Sequence, residues 1–246
     1  MGLYIALLFL TRIPLPYIEC DQKQIIRSLP FFPVIGAIIG FLLAALDALL
    51  RSYLPDPAMV CLLVVAETVI TGGLHIDGFA DTMDGLFCGK TKSEKLEVMK
   101  DSRLGAYGVM GVVLLFLLKY SALLSIPAEV RSRLLVIFPA LSRWMMTWAI
   151  ILFPYLREKG LGKAFNENKS SLQVVLSTFF SVIIAFAIEG IESLKIIFLT
   201  FILGLLFSLY IFSKIGGMTG DTYGAVNEFC EISVLFLYLI FGNKDA

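Results

Sequence analysis

Six or seven windows of this 246-residue chain run for most of a membrane's thickness with almost no charge. They are Phe31–Leu50, Ala58–Leu74, Leu104–Ile126, Leu134–Phe153, Leu172–Ile188, Lys195–Phe212 and Ala225–Phe241. A hydrocarbon core about 30 Å thick takes about 20 such residues. Within lipid every backbone N–H and C=O needs a partner in the chain, so these windows must be helical. The reading is an all-α polytopic membrane bundle of about six to seven transmembrane helices plus short interfacial helices. Composition agrees, with 58% hydrophobic and 16% charged residues against about 45–50% and 25% in ordinary soluble domains.

Twenty Lys and Arg balance twenty Asp and Glu, which removes the electrostatic case for a nucleic-acid partner. Leu3–Leu10 is apolar but too short to span, and Pro14 and Pro16 follow it. It reads as an interfacial or re-entrant piece. No basic residue precedes it and no small-residue cleavage site follows, so it does not read as a signal peptide. Cys20, Cys61, Cys88 and Cys230 stand apart, without the paired spacing of a zinc or redox motif.

Basic residues set an expected orientation. The loops Thr11–Pro30, His75–Arg103, Pro154–Ser171 and Lys214–Gly224 carry thirteen Lys and Arg, and the opposite loops and C-terminus carry five. The richer side is expected in the cytoplasm, which puts the long polar loops at the inner face of the cell membrane. With no linker, low-complexity tract or repeat, residues 1–246 read as a single integral membrane domain.

The chemistry concentrates where the second window ends. Gly72-Gly73-Leu74-His75-Ile76-Asp77-Gly78-Phe79-Ala80-Asp81-Thr82-Met83-Asp84-Gly85 holds the chain's one histidine and three aspartates. On a helix Asp77, Asp81 and Asp84 fall at i, i+4 and i+7, on one face. Three carboxylates so placed repel one another unless a cation neutralises them, and oxygen ligands suit Mg²⁺ or Mn²⁺. A solvated acidic helix face is the plainer alternative.

Two further clusters follow. Lys100-Asp101-Ser102-Arg103-Leu104-Gly105 pairs cations with a glycine, and either holds an anion or anchors to lipid headgroups. Gly216-Gly217-Met218-Thr219-Gly220-Asp221-Thr222-Tyr223-Gly224, with Glu228 and Glu231 beyond, combines glycine backbone and hydroxyls suited to phosphate. Arg143 is the sharpest charge inside an apolar window, where ionisable groups face a partner or a cavity. Lys119, Glu67 and Asp47 are weaker cases that could pair within the bundle. Together these point to metal-dependent chemistry on a phosphate.

The same residues carry a family resemblance over nearly the whole chain. Leu8-Phe9-Leu10-Thr11-Arg12-Ile13-Pro14-Leu15-Pro16 is similar to the N-terminal signature of the cobalamin synthase (adenosylcobinamide-GDP ribazoletransferase) family. Thr71 through Gly85 resembles its TGGxHxDGxADTxDG core, Asp101-Ser102-Arg103-Leu104-Gly105 its DSRxG block, and Gly160-Leu161-Gly162 with Phe165, then Gly220-Asp221-Thr222, its later blocks. The resemblance implies a phosphotransferase that joins adenosylcobinamide-GDP to α-ribazole or its 5′-phosphate and releases GMP. Mg²⁺ is then expected on Asp77, Asp81, Asp84 and Asp221, with His75 or one of those carboxylates taking the hydroxyl proton. The substrate-binding candidates are Arg12, Lys100, Asp101, Arg103, Arg143, Gly217, Thr219, Gly220, Thr222 and Glu228. The other expected partners are the lipid bilayer and, as an option, a second copy of the chain.

Two other classes compete. CDP-alcohol phosphotransferases share comparable chemistry, but Cys88 and Gly89 stand where their Ala-Arg pair belongs, and Ala225 where their last Asp belongs. A transporter coupled through Arg143, Lys119 and Glu67 would gather its acids near the midplane, whereas here they collect at loops and helix ends.

Overall fold

The second apolar window does not run on into the aspartates. In the computed structural model, which describes residues 1–158, 161–167 and 169–242, helix α4 (Asp56–Thr71) stops at Gly72 and Gly73, both with φ near +65° (65° and 68°). Glycine enters that left-handed region without a Cβ penalty. The chain then turns by 92° into α5 (Leu74–Cys88). The acids expected at one end of the second helix therefore occupy a helix of their own, lying across the bundle. Lys159, Gly160 and Lys244 lie outside the described residues.

The other windows become α3 (Phe32–Leu50), α7 (Ala106–Leu124), α8 (Ala128–Leu152), α10 (Ser171–Glu189), α11 (Ser193–Ile215) and α12 (Gly220–Phe241). Shorter helices α1 (Gly2–Leu10), α2 (Gln22–Ile26), α6 (Lys92–Val98) and α9 (Leu161–Glu167) accompany them. Among the described residues there is no strand, only an isolated bridge between Tyr155 and Met218.

Among the described residues, five helical stretches are long and apolar enough to cross a membrane, or six with the bent α4–α5 pair. One of them, Ser171–Ile215, has 45 residues. As one helix it would be about 68 Å long, over twice the hydrocarbon thickness. It is broken after Glu189 at Gly190, whose φ is 61°. Just before α10, Lys169 Nζ donates to Phe153 O (3.2 Å) at the end of α8. α10 ends where Glu189 meets Arg133 near the start of α8, while α11 returns to end beside Lys92. Counted as two passes, the pair brings the bundle to seven.

α8 is the central helix, buried along most of its length. Pro139 inside it has no N–H, so the Leu135 carbonyl loses its helical donor. Gly40 of α3 packs against that carbonyl, and Gly36 packs against Pro139. The spacing Gly36-x-x-x-Gly40 lets the two backbones approach as small residues do in membrane helix pairs. By contrast Leu114, Leu117, Phe179 and Phe198 on α7, α10 and α11 point outward and are exposed, a surface suited to lipid.

Two charge assemblies tie the helices together. At one end Arg131 of α8 donates to Asp47 of α3 (3.1 Å) and Asp56 of α4 (2.6 Å). In the interior Lys119 of α7 donates to Glu67 of α4 (3.1 Å), Glu228 (3.1 Å) and Glu231 (2.5 Å) of α12. Arg143 of α8 pairs with Glu231 as well. The opposite end gathers the polar loops. Arg12 N donates to Ile70 O (2.7 Å), Leu156 N to Met218 O (2.9 Å) and Arg157 Nη2 to Met99 O (3.1 Å).

Candidate active site

The site forms where α5 crosses the start of α12. Two glycines permit the crossing: a Cβ on Gly78 would stand 2.7 Å from the Asp221 carbonyl oxygen, and one on Gly224 3.1 Å from the His75 backbone. A cavity of about 260 Å³ opens there. Asp77, His75, Asp221, Gly220, Tyr155 and Arg157 line it, with Phe9, Met146 and Phe165 supplying apolar wall.

Asp77 is exposed and Asp81 half-buried on the same face of α5. Asp81 lies in the field of Asp221, Asp77 and Asp84, with Arg157 as the opposing cation. Asp221 sits in the first turn of α12 and accepts from Arg157 and from Thr219 Oγ1 (3.3 Å). His75 is buried, and neither ring nitrogen has a hydrogen-bond partner. An unpaired buried polar group costs about 1–3 kcal/mol, so a cavity-lining one is a place where a ligand could make the missing bond. Tyr155 stacks on Tyr223 with centroids 6.1 Å apart. Burial holds the Tyr155 phenol above its usual range, so it stays a neutral donor.

Asp84 does a different job. Its two carboxylate oxygens accept from Gly105 N (2.7 Å) and Gly108 N (2.8 Å), so it fastens the start of α7 to α5, and it does not line the cavity.

The remaining candidates spread over several places. Arg12 packs over Gly72 and lines an adjoining cavity of about 500 Å³ that shares Phe9 and Leu74 with the first. Lys100 borders a shallow depression on the far side of Arg157. Asp101 and Arg103 pair with each other on the surface at 2.6 Å, and those hydrogen bonds hold the Asp101 carboxyl down at about 2. Arg143 and Glu228, expected to meet substrate, are instead fully enclosed in the interior network. Thr219 and Thr222 form the capping box of α12, each hydroxyl bonded to the other's backbone N–H (3.3 and 2.8 Å). Gly217 admits the Pro154–Leu156 loop at close range, whereas Gly220 has open space before it.

Among the described residues no three His, Cys, Asp or Glu side chains converge closely enough to hold a metal by themselves. The donor chemistry nevertheless fits Mg²⁺, which takes one or two protein carboxylates and fills its shell with water and substrate phosphates. Asp77 and Asp221 offer two such oxygens to one cavity.

Sequence reasoning missed Arg157 and Tyr155. Arg157 counted only as one of the loop's basic residues, and nothing local marks it. Its role arises from contact with Asp221, 64 positions away.

Comparison with known proteins comes to one answer. The family model described as cobalamin-5-phosphate synthase matches residues 2–239. A protein of Geotalea daltonii named adenosylcobinamide-GDP ribazoletransferase is 36% identical over 242 residues, covering 98% of both chains. Proteins of the same name from Fusobacterium nucleatum (33%, 97% of each chain) and Desulfitobacterium hafniense (37%, 96% and 94%) match similarly. No solved structure matches the chain significantly.

Proposed function

The chain belongs to the cobalamin-5-phosphate synthase family, and on that premise we propose that it is an adenosylcobinamide-GDP ribazoletransferase working at the cytoplasmic face of the cell membrane. It transfers the cobinamide phosphoryl group of adenosylcobinamide-GDP to a hydroxyl of α-ribazole, or of its 5′-phosphate, and releases GMP. The observation that carries this reading is the cavity where Asp77, Asp221, His75 and Arg157 converge at the α5–α12 crossing.

Displacement at a phosphorus depends mainly on positioning and charge neutralisation. Asp77 and Asp221, with Asp81 beside them, are the residues that would hold Mg²⁺. Bound there, the ion would neutralise charge on the diphosphate and on the departing GMP. Arg157 reaches the same space and binds phosphate oxygens, a role its planar fork suits. The acceptor oxygen forms a bond to the cobinamide-side phosphorus as the bond to the GMP oxygen breaks. His75, with both ring nitrogens unpartnered, is placed to take the hydroxyl proton; Asp77 and Asp221 are the carboxylates that line the same cavity. Asp84 holds α7 against α5, and the Thr219–Thr222 cap holds Asp221 at the head of α12.

The transporter alternative loses its support because Lys119, Glu67 and Arg143 are tied into one interior network, Lys119 to Glu67 and both cations to Glu231. The CDP-alcohol phosphotransferase reading lacks the signature residues at 88, 89 and 225. Purified protein in detergent, given adenosylcobinamide-GDP and α-ribazole, should release GMP stoichiometrically with the joined product, and only when Mg²⁺ is present. A transporter makes no GMP, and metal-independent release would remove Mg²⁺ from the mechanism.

A further inference from the structure

The geometry points to Arg157 as a place-holding cation: in the ligand-free protein its guanidinium occupies the charge position of the divalent metal, and it passes to the diphosphate when metal and substrate enter together. The inference rests on the reading that Asp77, Asp81 and Asp221 hold Mg²⁺, and it adds a residue and an order of binding to it.

Four observations converge. Arg157 is ion-paired with Asp221, on the oxygen that Thr219 also contacts. The same guanidinium acts on half-buried Asp81, against the like charges of Asp221, Asp77 and Asp84. Its side chain borders both the acidic cavity and the surface depression that Lys100 and Glu158 share, so it can face either space. Its Nε is buried with no partner, which leaves a donor free for an incoming oxygen.

The backbone around it is fixed, and the side chain is held there by one terminal nitrogen, Nη2, which serves both Asp221 and Met99 O. Leu156 N bonds Met218 O (2.9 Å) and Met218 N bonds Pro154 O (2.8 Å), pinning the loop to the head of α12. The Arg157 side chain itself is 27% exposed, so its pair with Asp221 is partly screened by water and exchangeable. A metal ion arriving alone must displace or repel the guanidinium. A metal arriving with a diphosphate gives that guanidinium a bidentate anion to move to. Metal and diphosphate then bind cooperatively, and by linkage each must tighten the other by the same factor.

The test is Mn²⁺ binding to detergent-purified protein by electron paramagnetic resonance, with and without GDP as the diphosphate probe and with protein-free GDP as the reference. Wild type should bind Mn²⁺ weakly alone and about tenfold more tightly with GDP. Arg157→Gln should bind Mn²⁺ about tenfold more tightly than wild type without GDP, and should lose most of the gain on adding it. Arg157→Lys, which keeps the charge and is less disruptive to the loop, should stay near wild type without GDP. Unchanged or weaker Mn²⁺ binding in Arg157→Gln, or a wild type indifferent to GDP, overturns the inference and leaves the metal reading standing if Asp77→Asn still abolishes Mn²⁺ binding. If wild type binds no Mn²⁺ under either condition, the metal reading fails and the inference fails with it.

Discussion

Gly78 and Asp221 are in backbone contact: a methyl group on Gly78 would stand 2.7 Å from the Asp221 carbonyl oxygen and 2.9 Å from its Cα. That contact brings the acids of α5 to the acid of α12 across more than 140 residues of chain. Gly78→Ala should therefore force the helices apart, costing about 1–3 kcal/mol and at least tenfold in rate. The comparison of thermal melting and GMP release in detergent checks it, and a fully active Gly78→Ala would mean the crossing does not set the site.

Asp77→Asn and Asp221→Asn should each raise the Mg²⁺ concentration needed for half-maximal rate and cut the rate severely, while the protein still inserts and purifies. Asn keeps the shape and one acceptor oxygen but loses the charge that holds the cation. A lower rate with unchanged Mg²⁺ dependence in Asp221→Asn would assign that residue to substrate positioning instead.

Asp84→Asn should act differently. Both Asp84 oxygens accept backbone N–H groups of Gly105 and Gly108, and an amide can accept only one while aiming a donor at the other. The expected result is a loss of about 1–3 kcal/mol in stability, seen as a lower Tm, with the Mg²⁺ dependence of the residual activity close to wild type. A large shift in Mg²⁺ dependence would make Asp84 a metal ligand after all.

Lys119→Met should be among the most damaging changes outside the cavity lining. It leaves Glu67 and Glu228 without a cation and Glu231 to Arg143 alone, all buried, and breaking a buried pair by removing one partner costs about 3–5 kcal/mol. Lys119→Met combined with Glu228→Gln removes one of the stranded charges and should recover part of the melting temperature. No recovery would mean the network is not balanced by charge.

Orientation is testable with cysteines. Cys88 is exposed at the end of α5, on the site side, and Tyr53, 80% exposed, lies in the α3–α4 turn at the other end. An impermeant thiol reagent applied to intact cells should modify Tyr53→Cys and leave Cys88 untouched. The reverse pattern would place the site outside the cell.

Local pattern carried much of this protein. Apolar windows of about 20 residues are read by the solvent alone, so Phe31–Leu50 and Leu172–Ile188 appear as α3 and α10 almost residue for residue. The Asp77, Asp81 and Asp84 spacing is likewise local, and a helix puts them on one face whatever surrounds it. What hydropathy could not reveal is where the second window breaks, because Ala58–Leu74 stays apolar past the turn at Gly72 and Gly73. Nor could it assign partners. Arg143 reads alike as a ligand for substrate or for Glu231, 88 positions away, and Lys119 finds Glu231 at a separation of 112. Arg157 looks like any loop cation until the Tyr155–Met218 bridge lays it on Asp221. Helices and their faces follow from neighbours along the chain, whereas the pairing of charges depends on which helices pack together. That is decided by close contacts such as Gly40 on Leu135 and Gly78 on Asp221, which exist only once the bundle has formed.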